Sequence, residues 1–143
     1  MKEMYEVLLV DGGTRWHAGW VIEKDADLLL HIGSGIPVWS SRAGLEHHAQ
    51  EHGFDLVEDL PDEIDLDLGG WLSTGAPQPT TAEVSELWHL LIDDPAGREL
   101  ARLEDAYDDL TDDEPDWFEQ HGDTSRRALG AAVAKLRSTL RPM

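Results

Sequence analysis

The chain has no cysteine, which removes disulfides, thiol nucleophiles, iron–sulfur clusters and thiolate zinc sites together. That absence fits a reducing compartment, so a cytoplasmic location is expected. No apolar run approaches the roughly 18 residues that a membrane span requires. The opening MKEMYEVLLVDGG has one lysine and a short apolar stretch interrupted by acids, without a signal peptide's basic region, long apolar region and cleavage site. Short catalytic motifs are missing too. GxSxG does not occur, nor does HExxH, and no lysine follows Gly33-Ser34-Gly35 to make it a phosphate loop, so that tripeptide reads as a β-turn.

Positive charge is the other scarcity, and it is unevenly scarce. The formal net charge is −19, from 30 acids against 11 lysines and arginines. Residues 1–54 carry 8 acids and 4 bases, whereas residues 55–123 carry 22 acids and only two bases, Arg98 and Arg102. The last twenty residues reverse the sign, with Arg126, Arg127, Lys135, Arg137 and Arg141 and no acid. Such a field repels nucleic acid and anionic membrane surfaces and steers cationic partners inward at rates that fall with salt. Neither nucleic acid nor membrane is therefore expected as a partner. The same acids also serve solubility.

What is present is enough for a core. The chain has 143 residues, 41% of them hydrophobic, and six tryptophans, the size and composition of one domain. The expected class is α+β: an N-terminal antiparallel β-meander of three or four strands packed against several C-terminal α-helices. A single domain over 1–143 would be β-rich to residue 40, mixed over 41–73, joined by a linker at 74–80 and helical over 81–141. In the first part Tyr5, Val7 and Leu9 alternate on one face. Runs Trp16 to Ile22, Leu28 to Ile32 and Ile36 to Trp39 follow, separated by Asp11-Gly12-Gly13, Lys24-Asp25-Ala26 and the Gly33 turn. Connections this short hold no crossover helix, which excludes a parallel Rossmann-like arrangement there.

Ser40 or Ser41 offers an N-cap for a short helix to His52, with Leu45 and Ala49 on one face, Gly53 at C′ and Phe54 as the accompanying hydrophobic contact. IDLDLGGWL places Ile64, Leu66 and Leu68 at spacing two, an extended piece leading to a helical turn at Trp71. TGAPQPT then breaks both kinds of element. Thr80 with Glu83 is a capping box before Val84, Leu87, Trp88 and Leu91 at helical spacing. Asp94-Pro95 is a second N-cap, opening a helix in which Leu100, Leu103, Tyr107 and Leu110 oppose Glu104, Asp105, Asp108 and Asp109. Residues 111–123 read as a loop anchored by Trp117 and Phe118. Asp123 or Thr124 caps the last helix, whose stripe is Leu129, Ala132, Val133, Leu136 and Leu140, with Pro142 as the stop. Its bases flank that stripe, placed to lie against the acidic helix.

Three constellations bear on chemistry. In LEHHAQEH, His48 and His52 lie one helical turn apart, as do His47 and Glu51, a spacing that lets two side chains share a divalent metal. The sequence points to no third ligand, and solvated histidines titrating near neutral pH are the better account of the segment. Asp65 and Asp67 share a face of an extended piece, as magnesium or glycoside chemistry would need, but a DxD tripeptide has little specificity among thirty acids. Asp93-Asp94 is explained by capping. Trp16 and Trp20 share parity and project from one face, either as core or as anchors for a partner. Trp88 and Trp117 read as core. No cofactor is implied.

Taken in order, the β-meander, VWSSRAGLEHHAQEHGF, IDLDLGGWL and SELWHLLIDD resemble small acidic bacterial proteins of the immunity type, encoded beside polymorphic or contact-dependent toxins, over about residues 5–120. The resemblance implies a cytosolic inhibitor that binds a cognate toxin, often a basic nuclease, and blocks its active site with carboxylates. No binding residue transfers by position. The charge distribution independently nominates Glu104, Asp105, Asp108, Asp109, Asp112, Asp113 and Glu114 as the partner-binding acids. A non-enzymatic protein that binds a basic partner is the expectation. Two others stand beside it: an accessory domain that forms a homodimer or larger oligomer through its tryptophan-bearing sheet, and a metal-dependent hydrolase built on the histidines.

Overall fold

A computed structural model of the chain describes residues 2–22 and 27–143. The turn expected at Lys24-Asp25-Ala26 lies outside the described residues. The fold is α+β, a mixed sheet followed by helices of which the last is long. It divides into two compact units, one of Met1–Asp65 with Ser138–Met143 and the other of Leu66–Arg137.

In the sheet unit, β1 (Lys2–Asp11) and β2 (Thr14–Ile22) form an antiparallel hairpin with Asp11 opposite Thr14. The two-residue loop is Gly12-Gly13, and Gly12 supplies the positive φ of 63° that such a turn needs. β3 (Asp27–Leu29) continues the antiparallel order against β2. The fourth expected strand, β4 (Ile36–Val38), does not extend this ladder. It runs parallel to the strand at residues 140–142, and a bridge between His17 and Trp39 links its neighbourhood to β2. All three β4 residues, Ile36, Pro37 and Val38, are buried.

α1 (Arg42–Glu51) follows Ser41, which holds the N-cap position without a side-chain cap bond, and ends before Gly53, whose φ of 73° marks the left-handed C′ position. The helix covers one face of the sheet, its Leu45 and Ala49 forming a buried cluster with Met4, Val21 and Trp39, and Phe54 packs against that cluster. β5 (Phe54–Leu56) and β6 (Asp62–Asp65) both add to β1 in parallel, so the sheet is mixed rather than a plain meander. The crossover this demands is supplied by the chain through β4 and α1.

The helical unit begins with buried Leu66 and Leu68, a 3-10 turn at Leu68–Gly70 and the single-turn α2 (Trp71–Thr74). α3 (Thr81–Ile92) opens on the full capping box, Thr80 and Glu83 each accepting from the other's backbone N–H. Asp94 caps the next segment as expected, through Ala96 N–H at 2.9 Å with Pro95 at the first position, but Pro95–Leu103 is a 3-10 helix rather than α. Gly97 explains part of this closeness: a Cβ there would run into the carbonyl of Leu91, at the end of α3. The α form starts only with α4 (Glu104–Thr111).

α5 (Trp117–Thr139) begins well before the expected Asp123 or Thr124, because residues 117–122 of the supposed loop are helical. Gly122, and Asp123 after it, lower helix propensity there, yet the buried Trp117 donates its indole N–H to Ala106 O at 2.8 Å, and Phe118 meets both Trp71 and Trp117 edge-on. Tertiary packing decides the boundary. At the other end the helix stops at Thr139, and Leu140 belongs to β7 (Leu140–Pro142), the strand beside β4. Among the described residues no helix is long and apolar enough to cross a membrane.

Candidate functional site

The nominated acids all fall on α4 and the turn that follows it. Ala106 and Leu110 are buried on the inner side, while Glu104, Asp105, Asp108, Asp112 and Glu114 are exposed. None of these five carboxylates has an ion-pair partner among the described residues. Two of the seven are engaged within the unit instead. Asp109 meets His121 Nε2 at 2.7 Å, and Asp113 accepts from Thr81 Oγ1 at 2.9 Å. Of the bases expected to lie against the acidic helix, Arg126 donates to Trp71 O at 2.7 Å and Lys135 reaches Glu99 at 3.4 Å, while His121 of α5 meets Asp109 of α4.

The acids on α4 are not arranged for stability. Glu104 and Asp105 in the first turn suit the positive end of the helix, but Asp108, Asp109 and Asp112 sit at the end where the peptide dipoles leave negative charge. Glu104 with Asp108, and Asp105 with Asp109, are like-charge pairs at spacing four, each unfavourable by a few tenths of a kcal/mol, about 0.2–0.5.

A second charged site, in the sheet unit, was not legible as one. Glu6 on β1 is buried, its side chain 2% exposed, and both carboxylate oxygens are used. Oε1 accepts from Arg42 Nη1 at 2.9 Å, and Oε2 is in contact with His17 Nδ1. The register explains the meeting: Glu6 lies opposite Gly19 and Leu8 opposite His17, so Glu6 and His17 are diagonal neighbours, while Arg42 arrives from the first turn of α1. Arg42 also donates from Nε to Glu46 at 2.9 Å. Burial opposes its charge, and the hydrogen bonds to Glu6 and Glu46 outweigh that, holding the guanidinium above its ordinary value. An ionised Glu6 requires the His17 proton on Nδ1 and so fixes the ring's orientation. Glu6 and Arg42 line a cleft of about 370 Å³ with Glu46, Glu58, Asp59 and Leu60, and Leu60 is 95% exposed on its rim. The signal that could have found Glu6 is the run Leu8-Leu9-Val10, apolar at both parities, which marks a strand covered on both faces.

On α1, His48 and His52 pack ring against ring at a tilt, and His47 pairs with a carboxylate. His48 lies 4.2 Å from His52 and 5.2 Å from Trp39, centroid to centroid, and His47 pairs with Glu51 at 3.1 Å. Burial, and then the neighbouring His52, push the His48 pKa below its usual 6.5. No group of three or more metal-ligating side chains converges among the described residues. The Asp67 carboxylate accepts from Ser73 N–H and Oγ at 2.9 and 2.7 Å. Trp16 and Trp20 share the face of buried Val7, Leu9 and Ala18, each half-buried; Trp88 and Trp117 are fully buried. Compared with protein-family models, curated proteins and solved structures, the chain finds no match in any of the three.

Proposed function

We propose that this chain is a non-enzymatic, cytoplasmic binding protein that inhibits a basic partner, an immunity-type protein whose target is a basic toxin such as a nuclease. The observation that carries the reading is the exposed carboxylate surface of α4 and its following turn: Glu104, Asp105, Asp108, Asp112 and Glu114 have no ion-pair partner among the described residues, and Asp108 and Asp112 sit at the helix end that disfavours negative charge. A basic active site brought against that surface would be occluded and its cations neutralised. Complementary charge of this kind acts mainly on association rate and partner choice. Asp109 and Asp113, already engaged with His121 and Thr81, hold the surface in place rather than offer it.

The test is a binding measurement between this protein and basic proteins encoded beside its gene, a nuclease first. A complex is expected whose affinity falls steeply with salt and which weakens in the Asp108→Asn, Asp112→Asn double variant. No association at low salt with any neighbouring gene product would refute the reading.

A further inference from the structure

The scarcity of positive charge makes its placement in the helical unit informative. Arg98 and Arg102, the two bases of residues 55–123, both line one cleft of about 430 Å³, and α5 contributes a third cation to it, Lys135. The remaining lining is Pro95 and one acid, Glu99. Both arginines are exposed, and neither has an ion-pair or hydrogen-bond partner among the described residues. An acid is at hand: Glu99 lies three residues before Arg102 on a 3-10 helix, the spacing that brings side chains onto one side, yet its carboxylate turns to Lys135 at 3.4 Å. Two guanidinium groups thus stay unpaired beside an ammonium in a protein with acids to spare.

We propose that this cleft binds a small polyanion carrying phosphate or pyrophosphate. Guanidinium forks match the oxygen geometry of phosphate through paired hydrogen bonds, and Lys135 adds a compact third charge. The ligand's oxygens take the place of Glu99 at Lys135, so the long, exposed Lys135–Glu99 pair is the contact that binding breaks. The protein's net negative charge sets the size of ligand admitted. At physiological salt, charges act over about 8 Å, so a small anion inside the cleft responds to its three cations. A long polyanion would extend onto acidic surface and be repelled. The site is independent of the toxin-binding reading, because it takes the opposite charge.

The experiment is titration of the whole protein with pyrophosphate at low salt, and with inorganic phosphate in parallel, followed by calorimetry and by the arginine Nε–H resonances. Saturable one-site binding of pyrophosphate is expected, weakened about tenfold or more in Arg98→Ala, Arg102→Ala. Arg98→Lys, Arg102→Lys should fall between, since it keeps the charge and loses the fork. Glu99→Gln should tighten binding a few-fold by removing the competing carboxylate, whereas Asp108→Asn, Asp112→Asn, outside the cleft lining, should leave it unchanged when the titration is repeated at physiological salt. All these positions are exposed, so the fold is preserved. Absence of saturation into the tens of millimolar, or binding that the double alanine variant does not weaken, overturns the proposal.

Discussion

The two units handle polar groups in opposite ways. In the sheet unit a carboxylate is taken inside and both of its oxygens are satisfied, Glu6 between Arg42 and His17. In the helical unit the side-chain charge of α4 stays outside, and the buried acid Asp94 is spent on capping Ala96 N–H. That unit also buries two neutral polar atoms, Trp88 Nε1 and Ser125 Oγ, with no hydrogen-bond partner among the described residues. A paired buried charge gives one arrangement in which its groups are satisfied, so it fixes where β1, β2 and α1 meet. An exposed row of like charges fixes nothing internally.

The contrast breaks most sharply at Glu6. Glu6→Ala strands Arg42 and His17 around a buried cavity, and a loss of about 3–5 kcal/mol in urea unfolding is expected. A loss under 1 kcal/mol would place the network at the surface in solution. In the helical unit the opposite sign is expected: Ser125→Ala removes an unsatisfied buried hydroxyl from α5 and improves helix propensity, raising stability by about 0.5–1 kcal/mol in the same assay.

The pH response separates the units further. The His48 pKa is lowered in the folded chain, so the unfolded chain takes up that proton first. Its contribution is therefore whole above the ordinary histidine range near 6.5 and is lost as the pH falls through it. Comparing urea midpoints at neutral and mildly acidic pH should show a smaller decline in His48→Phe than in the unaltered chain. An equal decline would remove His48 from the account. The smallest effect is expected where the charge is densest: Asp108→Asn with Asp112→Asn should move the unfolding midpoint little, within about 0.5 kcal/mol, or upward. A large loss there would mean that these acids serve the fold.

Local chemistry was readable where a few neighbouring residues decide the outcome. The Gly12-Gly13 hairpin, the Thr80–Glu83 capping box, Gly53 at the end of α1 and the Asp94–Pro95 cap are all of this kind. Pairings across long separations were not. Nothing near Ile36 announces that its partner is Leu140, and the helical start at Trp117 depends on the carbonyl of Ala106. The candidate sites divide in the same way. Exposed acids on α4 follow from helical spacing alone, whereas Glu6 alternates with Tyr5 and Val7 like any solvent-facing acid until α1 covers that face. Arg98, Arg102 and Lys135 come together only when α5 folds back on the 3-10 segment.

The parallel pairing of β4 with β7 sets an order of events on the ribosome. Val38 and its neighbours leave the exit tunnel early, but the strand that completes their ladder is made after α5. Every residue of the helical unit is synthesised in that interval. The nascent sheet unit must therefore hold buried-type side chains such as Ile36 and Val38 through the making of the whole helical unit before the strand that completes their ladder exists.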